Sequence, residues 1–183
     1  MRAALSLLAG MIIATMPALA AQPVAPGTEP AAGFGQEQGR VTGLKVPRFV
    51  SLKSDRARMR VGPSTDYPAR YVYTSRGLPL EILEEWSNWR QVRDDEGTTG
   101  WMHVGLLSAR RTAVVAPWLK TDAPLRTRPS SDATVVASMQ PGVLVNIGHC
   151  SGRWCRVSVM HQSARGYVNQ TKLWGVYPNE VVE

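Results

Sequence analysis

The decapeptide ARMRVGPSTD that begins at Ala57 returns as APLRTRPSSD at Ala123, 66 positions later. A chain that repeats itself at a steady interval repeats its structure, so the interval limits what can be folded. The match extends in both directions. LKSD at Leu52 recurs as LKTD at Leu119, and the apolar run LPLEIL after Gly77 recurs as VLVNIG after Gly142. Trp89 answers Trp154 and Val92 answers Val157; Gly100-Trp101-Met102 answers Gly166-Tyr167-Val168, and Leu107 answers Leu173. The offset stays between 65 and 67 throughout, which leaves room only for single-residue gaps at turns.

Within each unit the residue types are those of short strands. In the first, Ala69 to Thr74, Leu78 to Glu84, Trp89 to Arg93 and Thr98 to His103 are rich in branched or aromatic residues, and Arg76-Gly77, Ser87-Asn88 and Asp94-Asp95-Glu96-Gly97 separate them. In the second, Val135 to Met139, Val143 to Ile147, Trp154 to Val159 and Gly166 to Val168 are separated by Pro141-Gly142, Ser151-Gly152 and His161-Gln162. No sustained helical period follows Pro47, so the fold class is all-β. About five strands in some sixty residues cannot cover a flat sheet with a second layer, so closure into a small barrel is predicted as the way to bury one face and remove the edges. The predicted domains are 49–112 and 113–183, the second with a C-terminal tail. Arg111 to Leu119 would join them as a short junction, which predicts a fixed rather than a swinging pair.

Ahead of the repeats, MRAALSLLAGMIIATMPALA has one charge at Arg2, an apolar stretch to about Met16 and small residues at Ala18, Ala20 and Ala21. That is the pattern of a secretory signal peptide, with cleavage predicted after Ala20 and a periplasmic or secreted destination. The apolar stretch is short for a membrane span, and no membrane insertion is expected after cleavage. Residues 21–48, rich in Ala, Pro, Gly and Gln, read as a disordered linker. Losing Arg2 leaves 20 Lys and Arg against 14 Asp and Glu, a side-chain charge of +6. Phe49 to Arg110 holds 9 basic and 8 acidic residues, Arg111 to Glu183 8 and 4. The ordinary reading of this excess is a solvated basic surface; if a polyanion is contacted at all, the second half is the expected side. Nucleic acid is not an expected partner, since neither an RNA-binding signature nor a basic helix is present.

ArgMetArgValGlyProSer at Arg58 to Ser64, Asp66-Tyr67-Pro68, Trp89-x-x-Val92 and Gly100-Trp101-Met102 make the first unit resemble the bacterial SH3 domain family. The second keeps Leu125-Arg126, Pro129-Ser130, Trp154-Cys155-Arg156-Val157 and Gly166-Tyr167-Val168. It departs at Arg128, opposite Gly62, and at Ala133-Thr134, opposite Tyr67-Pro68. The tandem is similar to SH3 pairs of exported proteobacterial proteins. The resemblance implies two SH3-like barrels and a shallow groove in which aromatic rings hold a short peptide. Carried over position by position, that groove would be lined by Asp66, Tyr67, Tyr71, Tyr73, Trp86 and Trp89. Rings suit such a task because they offer rigid contact area at low entropic cost. Core packing is the expectation for Tyr73 and Trp89, exposure for Tyr67 and Trp86.

Cys150 and Cys155, flanking the Ser151-Gly152 turn of an exported chain, read as one disulfide. The alternatives are zinc held by His149, Cys150, Cys155 and His161, or a nucleophile pair of Cys155 with His161. Against zinc, His149 and Cys150 are adjacent and point to opposite faces of a strand. Against catalysis, nothing outside the two repeats is long enough for a catalytic domain, and Glu84-Glu85 and Asp94-Asp95-Glu96 sit at turns. The sequence therefore predicts no enzyme, no cofactor and no metal. It predicts a binding module for peptidoglycan stem peptides or other short peptides of the envelope, with an assembly protein that grips another envelope protein as the rival.

Overall fold

The computed structural model describes residues 37–183, so the predicted leader and the linker up to residue 36 lie outside the described residues. A hairpin of β1 (Glu37–Gln38) and β2 (Lys45–Val46) comes first. The first repeat then gives β3 (Arg48–Leu52), β4 (Ala57–Arg60), β5 (Ala69–Tyr73), β6 (Pro79–Trp86), β7 (Trp89–Arg93), β8 (Thr99–His103) and β9 (Leu107–Ser108). The second gives β10 (Thr112–Val115), β11 (Ala123–Arg126), β12 (Val135–Met139), β13 (Leu144–Ser151), β14 (Trp154–Val159), β15 (Arg165–Asn169) and β16 (Leu173–Trp174), with β17 (Val181–Val182) closing the chain. The only helices among the described residues are single 3₁₀ turns before β9 and β16, and none is long and apolar enough to cross a membrane.

Duplication is visible in the ladders. The first sheet runs β5-β4-β8-β7-β6-β3-β9 and the second β12-β11-β15-β14-β13-β10-β16, the same order strand for strand, with β17 added beside β13. Every pairing is antiparallel. Even the irregularities recur: the register slips between Met59 and Arg60 and between Leu125 and Arg126, and again between Ile82 and Glu84 and between Ile147 and His149. A bulge bends its strand and sharpens the twist, so equal bulges curl both sheets alike. The turn before β6 and its counterpart before β13 carry Gly77 and Gly142 at φ of 87° and 86°, a conformation that a side chain disfavours.

Each sheet curls around its own apolar cluster. Val50, Leu52, Ala57, Met59, Leu80, Ile82, Val92 and Met102 fill the first, while Val115, Leu125, Val145, Val157, Val168 and Leu173 are among those that fill the second. Along β8 and β15 alternation turns Met102 and Val168 inward, fully buried, and leaves Trp101 and Tyr167 half-buried. Closure is corrected. Each ladder is an open path, with β5 and β9 at the ends of the first and β12 and β16 at the ends of the second. Edges are tolerable here because β9 and β16 are two residues long and β5 carries Arg70, a short and a charged edge respectively.

The linker reading is corrected at its end, since residues 37–46 form the first hairpin. Its support lies far along the chain in Glu85, a carboxylate with no exposed side-chain surface. Glu85 accepts from the amides of Val41 and Thr42 (3.0 and 2.8 Å), the Thr42 hydroxyl (2.7 Å) and the Arg48 guanidinium (2.6 Å), and Arg90 lies 3.6 Å away. A Cβ on Gly39 would sit 2.5 Å from this carboxyl, so the turn needs glycine there.

Three residues separate β9 from β10, and the tail folds back across the junction. Phe49 of the first domain meets Trp174 edge-on at 5.1 Å and Tyr177 at 4.7 Å. The Tyr177 hydroxyl donates to Glu81 (2.8 Å), which also takes two bonds from Arg93. Arg111 holds Glu180 at 2.7 Å, and Val176 and Val182 join the second core.

Candidate functional site

Alternation places two arginines on the outer face of β4: Ala57 and Met59 are fully buried, so Arg58 and Arg60 project the other way, and Arg56, exposed in the bend just before the strand, lines the same cleft. The neighbouring strand approaches closely because it carries glycine: a Cβ on Gly100 would lie 2.9 Å from the Arg60 carbonyl oxygen, and one on Gly166 2.5 Å from that of Arg126. This contact sets Arg60 opposite Trp101 and brings the end of β8 alongside, where His103 stands opposite Trp89 of β7. The two rings meet edge to face at 5.5 Å. His103 Nδ1 accepts the Gly105 amide (3.1 Å) and caps the 3₁₀ turn, which leaves Nε2 as the outward donor. The result is a cleft of about 490 Å³ lined by Arg56, Arg58, Arg60, Thr65, Trp89, His103 and Leu106.

The same place on the second domain holds a smaller cleft, about 220 Å³, lined by Pro124, Arg126, Ser131, Trp154, Asn169, Thr171 and Lys172. The two agree in detail. Arg60 donates to the Tyr67 carbonyl (2.5 Å) and Arg126 to the Ala133 carbonyl (2.6 Å), so each arginine clamps the loop that forms one wall. Val61 donates to Pro68 as Thr127 does to Thr134, and Ser64 to Gly62 as Ser130 to Arg128. Asn169 accepts from the Thr171 amide (3.0 Å), the capping role that His103 has in the first domain. The divergence at Gly62 also finds its cause. The Tyr67 ring lies over Gly62, where a Cβ would fall 2.6 Å from it; with Ala133 in the ring's place, a side chain such as Arg128 is admitted.

Of the six predicted groove residues, only Trp89 lines the cleft, and it does so half-buried rather than in the core. Register explains the scatter. Tyr71 and Tyr73 pair with Met59 and Ala57, whose side chains point inward, so both stand on the opposite face from Arg58. The Tyr73 hydroxyl donates to Asp94 (2.6 Å), and burial together with that carboxylate pushes its pKa far up. Tyr71 lies 41% exposed beside the Arg70 guanidinium. Asp66 is occupied locally, accepting from the Ser64 hydroxyl at 2.9 Å. Tyr67 and Trp86 are exposed as expected, at 47% and 55%, but neither enters the cleft. What the groove assignment missed is these arginines, although the spacing RARMR at Arg56 to Arg60 already showed them as a period of two.

The cysteines are bonded to each other, opposite one another on β13 and β14 and buried in the second core. That bond takes up the sulfurs the zinc and nucleophile alternatives need. No group of three or more His, Cys, Asp or Glu side chains among the described residues is placed to hold a metal.

Two small curled antiparallel sheets of one topology, each bearing a surface cleft beside an indole, define a tandem all-β protein. Residues 53–109 and 120–175 each match the model of the bacterial SH3 domain, and the chain belongs to that family. Among solved structures it is similar to NlpC2 and NlpC1 from Trichomonas vaginalis, at 14% and 15% identity and a TM-score of 0.30 in both cases. The alignments cover 70% and 74% of this chain and 48% of each of those, so the chain spans about half their length. No curated protein matches it in sequence.

Proposed function

We propose that the protein is an exported, non-enzymatic binding module of the cell envelope that holds short peptides, those of peptidoglycan stems first among them, in its Trp89 and Trp154 clefts. The repetition of the cleft carries this reading: the same surface position keeps an indole, a loop clamped by arginine and a hydroxyl at Thr65 or Ser131 in both domains. Repeating a fold requires equal cores and turns, whereas an outward-facing tryptophan beside a hydroxyl adds nothing to either core and is suited to gripping a backbone. The leader over residues 1–20 supports export, which brings the chain to periplasmic or secreted surroundings where such peptides are found.

Sedimentation with isolated sacculi tests the proposal. The purified protein is expected to pellet, and Trp89→Ala with Trp154→Ala to leave most of it in the supernatant, while Tyr67→Ala with Trp86→Ala, outside the clefts, behaves as the parent does. Equal pelleting of the Trp89/Trp154 variant counts decisively against it. The free edges favour a second reading, strand addition by another envelope protein: β5 presents Val72 and β12 presents Val135 and Val136, all about half exposed. One stoichiometric protein partner with no sacculus binding would select that reading.

A further inference from the structure

The first cleft is more specific in charge than a peptide groove requires. Its domain holds nearly balanced charge, 9 basic against 8 acidic residues, yet three of the buried or part-buried acids are spent elsewhere. Glu81 is taken by Arg93 and Tyr177, Glu85 by Arg48 and the hairpin, Asp94 by Tyr73 and the amides of Glu96 and Thr98. Arg60 is engaged by the Tyr67 carbonyl. Arg56 and Arg58 remain: among the described residues no carboxylate lies within 4.0 Å of either, and neither guanidinium makes a hydrogen bond.

Arg58 on the outer face of β4 and Arg56 in the bend just before it line one cleft, and two guanidiniums so placed suit two carboxylates of one short peptide rather than one. Trp89 supplies the apolar wall beside them, and His103 offers Nε2 as a further donor. The second cleft lacks this set. Pro124 stands where the first has Arg58, Asn169 where it has His103, and Arg56 falls in the single-residue gap between LKSDRA and LKTDA and has no counterpart.

Resting on the peptide-binding reading above, we infer that the first cleft is a receptor for a peptide bearing two carboxylates, with Arg56 and Arg58 as its specificity residues, and that the second cleft does not share this preference. Arg56 and Arg58 set the charge, Trp89 the contact and the clamped loop the shape.

Titrating the purified protein with the peptide Ala-Glu-Ala-Glu-Ala and with its Gln analogue, observed at the Trp89 indole and His103 resonances, tests this. The Glu peptide is expected to bind about tenfold more tightly than the Gln peptide, and Arg56→Gln with Arg58→Gln to remove that difference. Arg128→Gln with Arg165→Gln, which removes equal charge from the second domain, is expected to preserve it. Equal affinity of the two peptides at Trp89 overturns the charge preference and leaves the peptide reading standing. If neither peptide moves these resonances, both fall. Displacement of the Glu peptide by a short oligothymidylate at about 150 mM salt would overturn the assignment to a peptide in favour of a phosphate backbone.

Discussion

Substituting Glu85 by alanine is expected to cost about 3 kcal/mol of stability, and the structure says where the loss arises. The carboxylate accepts from four groups within 3.0 Å. Three of them, the amides of Val41 and Thr42 and the Thr42 hydroxyl, lie in a hairpin that can peel away and rehydrate, so their share is modest. Arg48 retains 20% side-chain exposure and also recovers water, whereas Arg90 retains 5% and cannot. Breaking a buried ion pair from one side costs about 3–5 kcal/mol, and the carbonyls of Ser87 and Trp89, which already accept from Arg90, place the figure at the lower end. Proton linkage gives the same size. Burial alone would raise the Glu85 pKa, but the hydrogen bonds from Thr42 and Arg48 prevail and lower it from 4.5 to about 2. A depressed carboxyl contributes stability that is present above its unfolded pKa and lost as pH falls toward the folded one, here worth about 3 kcal/mol between pH 4.5 and 2. Urea unfolding followed by tryptophan fluorescence at neutral pH, and again stepwise down to pH 2.5, measures both. The variant should also be cut by trypsin after Arg40 under conditions that spare the parent. A loss below about 1 kcal/mol, or a parent whose stability stays level across that acid window, would refute the reasoning.

Gly166→Ala is expected to destabilise by about 3 kcal/mol and Gly100→Ala by about half as much, because the first new methyl strikes a backbone oxygen at 2.5 Å and the second strikes chiefly the Met59 side chain; melting temperatures compared side by side decide it. At high pH the partly buried hydroxyls of Tyr73 and Tyr177, whose pKa values burial and the Asp94 and Glu81 carboxylates push up, contribute stability present below about pH 10 and lost above it. Tyr177→Phe should weaken that alkaline loss in an unfolding series, and an unchanged profile would exclude the Glu81 contact as its source. Reducing the bond between Cys150 and Cys155 should cost about 2 kcal/mol while leaving the far-ultraviolet spectrum intact, since the loop it closes is short.

Much of the fold is readable from the repeat, since turns at Gly77 and Gly142 and alternation in β4 and β8 are local signals that each unit states independently. The hairpin over residues 37–46 was not readable, because what orders it is a carboxylate 43 positions beyond Thr42 and nothing in its own composition. The cleft fell between these cases. Its arginines announce themselves by spacing, but Tyr71 and Tyr73 were assigned to it from resemblance, and only the pairing of Tyr71 with Met59 reveals that they face away. Register decides such questions, since a shift of one residue exchanges the two faces of a strand.

The tail's return across the junction has a bearing on any attempt to divide the molecule. Phe49, Trp174 and Tyr177 cover one another only while both halves are present, and Glu81 shares its protonic partner across the same seam. Severing the halves near residue 110 would lay bare three rings and leave Glu81 with Arg93 alone, so either fragment would be stickier than its parent, and what it bound would report on the scar as much as on its cleft.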